Sequence, residues 1–178
     1  VSADLTPLIA ATTQWLTRAY PSPGGAVSAA LAQAQARQAV TVAAWLRYPT
    51  SLDAELVMMS GPGGAARLDW LAGADCSAGR PAGDEPEDAW RTWVDEVVAS
   101  WAACLLSDPS LAGAAVAAVS GSEHADGLII DFRRITGPDE LDRGAAALLR
   151  HPDLLAPISR LHASELAERL RPGHAPAA

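Results

Sequence analysis

The chain has 178 residues, 49% of them hydrophobic and 19% charged, which suits one globular domain with a core and argues against disorder. Its net charge is −8, all 13 cationic residues are Arg, and Lys and Asn are absent. The missing Lys excludes a Schiff-base or phosphate-loop lysine, the missing Asn excludes the usual papain-type orienting residue, and the acidic balance disfavours nucleic acid as a partner.

Thr6-Pro7 opens the first predicted helix, with Thr6 as N-cap and Pro7 where its missing N–H costs nothing. Leu8, Ile9, Thr12, Trp15, Leu16 and Ala19 fall on one helical stripe, and Pro21-Ser22-Pro23-Gly24-Gly25 ends it. An Ala/Gln-rich helix is expected over 26–48, with small side chains that let neighbours approach closely and with Pro49 as its stop. Thr50-Ser51-Leu52-Asp53 reads as a capping box feeding LDAELVMM, a third helix; a strand near 56–60 is the rival reading. Gly, Pro and Ala dominate 60–85, where only AARLDWL (65–71) has a helical pattern. Gly61-Pro62-Gly63-Gly64 lacks the spacing and the following Lys of a phosphate cradle and reads as a turn.

GDEPEDAW (83–90) crowds four carboxylates ahead of an aromatic run. Pro86 suits a first helical position, Asp84 or Glu85 a cap, and Glu87 and Asp88 the positive end of a helix dipole. A magnesium-binding aspartate box would need a second acidic motif, and none is evident. The predicted helix runs over 86–106, with Trp90, Trp93, Val94, Val97, Val98, Trp101, Cys104 and Leu105 on one stripe and Arg91, Asp95, Glu96 and Ser100 opposite. Asp108-Pro109 recaps a helix over 110–119. Segment 123–136 reads as a helix presenting Leu128, Ile129, Phe132 and Ile135, with a strand near 128–132 as the alternative. Helices over 139–150 and 153–171, the latter bent at Pro157, precede a disordered tail at 172–178. The expectation is all-α: one domain, 1–171, a bundle of about six to eight helices, against a mixed α/β alternative with strands near 56–60 and 128–132.

Glu123, His124, Asp126 and Asp131 form the one mixed His/carboxylate cluster, with Arg133 or Arg134 nearby as an anion binder. Beside that catalytic reading stands a plainer one, an exposed helix start capped by Ser122. Cys104 lies on the tryptophan stripe as an inert buried thiol, and Cys76 sits in the loop without a base; two cysteines make no Cys-rich metal site. Trp45, Trp90, Trp93, Val97 and Trp101 are expected to line an apolar pocket or a dimer face. This arrangement resembles, in architecture only and without residues that carry over, the helical ligand-binding halves of one-component transcriptional regulators. No cofactor, metal or membrane span is expected. VSADLTPLIA lacks the pattern of a signal peptide, so the expected compartment is the cytoplasm. The functional expectation is a non-catalytic helical binding or protein-interaction module, homodimeric, taking an apolar small molecule or a protein partner. The alternative is a small enzyme acting on an apolar or aromatic metabolite through the 123–134 cluster.

Overall fold

Small side chains decide the centre of the fold. The computed structural model describes residues 4–73, 86–145 and 149–172. In it α2 (Ala26–Arg47) lies along α5 (Glu96–Ser107). Ala32, Ala36, Ala39, Val40, Ala43 and Ala44 of α2, and Val98, Ala99, Ala102, Ala103, Leu105 and Leu106 of α5, are all buried. With so many methyl-sized side chains the two backbones can approach to the short end of the usual 8–10 Å helix spacing. Around this pair, α1 (Thr6–Ala19), α6 (Pro109–Val119), α7 (Arg133–Thr136) and α8 (Glu140–Ala145) pack on α2, while α9 (Pro152–Ser159) and α10 (Ala163–Arg169) pack on α5. A 3-10 helix, Pro86–Trp93, rests on α1, and α4 (Ala66–Leu71) rests on α9. α3 (Ser51–Ser60) stands at the edge and buries only Ala54 and Val57. No strand occurs among the described residues, so the all-α expectation holds and the strands near 56–60 and 128–132 do not form. Ten α-helices and two 3-10 helices occur among the described residues, because several expected helices divide.

The caps read from sequence are partly right. Thr50 and Asp53 close the reciprocal capping box of α3, and Asp108 caps α6 through Ser110 N–H and Leu111 N–H. Thr6 does not cap α1; it is the first helical residue, and the Asp4 carboxylate accepts from its N–H (2.9 Å) and hydroxyl. The helix at 86 does begin at Pro86, although Asp84 and Glu85 lie outside the described residues.

The expected single helix over 86–106 is two elements. The chain leaves the 3-10 helix at Val94, and Asp95 caps α5, its Oδ1 accepting from Val97 N–H (2.8 Å) and Val98 N–H (3.1 Å). Asp95 and Ser100, expected on a solvent face, are buried because each spends its polar atoms internally. Ser100 Oγ donates to Ser159 C=O and accepts from His162 N–H. These two bonds satisfy the break between α9 and α10, so 153–171 is not one bent helix. Segment 123–136 also divides: a 3-10 turn at Glu123–Ala125, then Gly127 at φ +71°, an irregular run, and α7. On α2, facing α8, Gln35 is wholly buried and both ends of its amide are bonded. Its Nε2 donates to Asp142 C=O (2.8 Å) and its Oε1 accepts from Arg150 Nε (2.9 Å), while buried Asp142 pairs with Arg134.

Candidate functional site

The catalytic candidates are spread, and their polar groups have structural partners. Glu123 is solvent-exposed, and its Oε2 accepts from Ser51 N–H at the start of α3 (2.9 Å). That bond holds its carboxyl below the usual range. His124 Nε2 lies 2.6 Å from Tyr48 C=O, and because a carbonyl only accepts, this nitrogen carries the proton. The imidazole stacks on Trp45 (centroids 6.0 Å apart, planes at 22°), and Phe132 meets the same indole edge-on at 6.1 Å. Asp131 Oδ1 accepts from Arg133 N–H, and Asp126 and Arg133 are exposed. Ser122, expected to cap this segment, makes no capping bond, and its buried hydroxyl has no partner among the described residues. No group of His, Cys, Asp and Glu there has the arrangement of a metal site.

The apolar candidates go to separate places, because the break at Val94–Asp95 turns the 3-10 helix away from α5. Trp101 is buried in the core and donates Nε1–H to His162 C=O (3.0 Å). Val97 is half-buried against the same core. Trp90 is half-buried, with the guanidinium groups of Arg18 and Arg91 over its ring at 5.1 and 5.3 Å. Arg91 also pairs with Asp69, whose Oδ1 accepts from buried Trp15 Nε1–H, so α1, α4 and the 3-10 helix are tied together. Trp45 floors two small clefts that share Val119, of about 250 Å³ and 150 Å³. Trp93 lines a wider one of about 420 Å³ with Met58, Met59, Ser60, Gly61, Gly63 and Thr92. Glu123, His124, Asp126, Asp131 and Arg133 line none of these three. The Gly61–Gly64 turn makes positive-φ bends, but Gly61 N–H and Gly64 N–H already bond to Val57 C=O and Val94 C=O and are not free for phosphate.

The feature missed by sequence reasoning is the outer face of α3. Leu52, Leu56 and Met59, spaced i, i+4, i+7, are 62%, 55% and 84% exposed, and Met58 beside them is partly exposed at the Trp93 cleft. A signal was present: LDAELVMM has apolar residues on more than one side, which is more than an edge helix with one buried face needs. Asp53, Glu55 and the Glu123 carboxylate flank this ridge, and α3 carries no cation.

Cys104 is buried and free, and burial pushes its thiol up to about 11, as an inert residue requires. Cys76 and His174 lie outside the described residues. His162 is a half-buried titratable group held between two carboxylates. Its Nε2 faces Glu96 (2.8 Å) and its Nδ1 faces Glu165 (2.9 Å), while Arg67 reaches the same Glu96 oxygen. Burial opposes the imidazolium, but the two carboxylates outweigh it and hold the pKa above its ordinary value. A raised folded pKa contributes stability that is fully present below about pH 6.5 and is lost as pH rises through the folded value. In urea denaturation, the stability gap between the native chain and His162→Gln is therefore expected to be larger at pH 6 than at pH 8.5. A gap independent of pH would contradict the pairing.

No protein-family model, curated protein or solved structure matches the chain. Among the described residues no helix is long and apolar enough to cross a membrane.

Proposed function

We propose that this chain is a helical protein-interaction module that docks a cationic amphipathic helix of a partner along the outer face of α3. The observation that carries the reading is the exposed Leu52–Leu56–Met59 ridge. An apolar row at this spacing matches the ridge that one helix offers another, and Met side chains adapt to differing partners. The acidic flank, the absence of a cation on α3 and the net charge of −8 favour Lys or Arg at the partner's edges over a second copy of the same acidic surface. The Trp93 cleft at the end of α3 supplies an aromatic-walled recess for a terminal anchor. The alternative, an enzyme built on the 123–134 cluster, has less support. Glu123 and Asp131 are engaged with the backbone N–H groups of Ser51 and Arg133, and none of the cluster's candidate residues borders the clefts described above.

The test is fluorescence anisotropy with two labelled designed helices, one of Leu and Lys and one of Leu and Glu, against the native chain and Leu56→Ser/Met59→Ser. Both substituted residues are exposed and the change is neutral in charge, so folding and net charge stay unchanged. The Leu/Lys helix is expected to bind the native chain, to weaken with salt, and to lose at least tenfold in the variant, on the order of 1.4 kcal/mol or more. Equal binding by the variant, or a preference for the Leu/Glu helix, overturns the reading. A concentration-dependent dimer that the same variant abolishes would put a second copy on this face instead.

A further inference from the structure

We infer that the 250 Å³ cleft floored by Trp45 is a binding site for a small apolar monocarboxylate, held by Arg169. The inference is independent of the α3 reading, because the two sites share no lining residue.

The cleft lies where the end of α2, the end of α6 and α10 meet. Trp45, Leu46, Pro49, Ala118 and Val119 make its walls apolar. Arg169 is its one cationic lining residue. Arg169 Nε–H donates to Leu46 C=O (3.0 Å), which fixes the plane of the guanidinium, and among the described residues its two terminal nitrogens have no hydrogen-bond partner. Among the described residues no carboxylate pairs with it, whereas Arg67, Arg91 and Arg134 each have one. In an acidic chain, a half-buried Arg held over an apolar recess without an acid is best matched by an anion from outside. The planar fork of a guanidinium suits a carboxylate, which can accept two parallel N–H bonds. Ser122, which also lines the cleft, has a buried hydroxyl with no partner among the described residues.

Size narrows the class. A cleft of about 250 Å³ accommodates an aromatic or short aliphatic acid. The adjoining cleft shares Trp45 and Val119 and adds the apolar Val116, Leu128, Ile130 and Phe132 together with Ala125 and Ser120. A short acyl tail can therefore continue across the Trp45 indole while its carboxylate stays on Arg169. A polar or branched dicarboxylate has no second cation to meet.

The test is isothermal titration of the full chain with octanoate, benzoate and octanol, repeated on Arg169→Gln and on Val119→Trp, which fills both recesses. Circular dichroism melts on each variant establish folding. Saturable binding of octanoate or benzoate, at least tenfold weaker for octanol, is expected. Arg169→Gln is expected to remove that preference while leaving octanol unchanged, and Val119→Trp to abolish all three. If octanol binds as tightly as octanoate, or if Arg169→Gln keeps the preference, carboxylate recognition by Arg169 is overturned. Absence of saturable binding to the native chain overturns the site. Should Arg169→Gln melt early, the octanoate-to-octanol ratio in the native chain and the Val119→Trp result still decide it. Neither outcome bears on whether Leu56→Ser/Met59→Ser loses its helical partner, so the two readings fail separately.

Discussion

Trp101→Ala is expected to lower folding stability by about 4 kcal/mol. Two terms make up the figure. The indole is only 3% exposed, so its removal leaves a cavity, and emptying a buried Trp site costs about 3–5 kcal/mol. The His162 carbonyl also loses its donor, a loss of about 1 kcal/mol already contained in that range. Proteins of this size rest on about 5–15 kcal/mol in all, and each kcal/mol moves the melting midpoint by about 2–4 °C. The midpoint should therefore fall by about 8–16 °C, while Trp101→Phe, which keeps most of the bulk, should fall by much less. A thermal melt that leaves Trp101→Ala unchanged would remove this residue from the core. Any loss of assembly or ligand uptake in Trp101→Ala has to be read below that midpoint, since Trp101 acts through folding; Trp93 and Trp45 are the tryptophans that reach a cleft.

What the sequence disclosed and what it concealed divide along one physical line. Local signals were legible. The capping box at Thr50–Asp53, the Asp108 cap and the alanine face of α2 depend on residues within a few positions of one another. The breaks were not legible, because distant groups satisfy them. Apolar spacing continues unbroken from Trp90 to Leu105, since the 3-10 helix and α5 both face inward. Periodicity therefore cannot register that Asp95 stops one helix and starts another. The break at 160–162 is held by Ser100 and Trp101, about sixty positions away. Segment 128–132 misled in the other direction. Its apolar run suggested a core strand or helix face, but Gly127 turns the chain left-handed and leaves Ile129 fully exposed, and only Phe132 and Ile135 are buried. The candidate site followed the same rule. Trp45 reaches a cleft as its place near a helix end allowed, but Arg169 and Val119 join it from elements far along the chain. The ridge of α3 went unseen because apolar residues at helical spacing are ordinarily taken as inward-facing.

Asp95→Ala is expected to cost about 3 kcal/mol and to disturb the surroundings of both Trp45 and Trp93, because Asp95 accepts from Tyr48 at the end of α2 and caps the helix that follows Trp93. Tyr48 ends α2, three residues after Trp45. Its hydroxyl donates to Asp95 Oδ2 (2.5 Å), and its carbonyl accepts from His124, which stacks on Trp45. Burial and the adjacent carboxylate push the Tyr48 phenol far above its ordinary pKa, so it remains a donor. On the other side Asp95 caps α5 and sets the direction in which the 3-10 helix leaves, and with it the position of Trp93. Removing the carboxylate loses the cap, about 1 kcal/mol, and leaves the tyrosine hydroxyl without an acceptor, about 1–3 kcal/mol. Asp95→Asn keeps an acceptor at the cap and should recover more than half of the loss. The two effects separate in a double-mutant cycle with Tyr48→Phe. If the bond holds α2 to the start of α5, the paired substitution should cost about 1–2 kcal/mol less than the sum of the single ones. Strict additivity in urea denaturation would mean that Asp95 acts as a cap alone. The Trp93 and Trp45 faces would then be free to move independently.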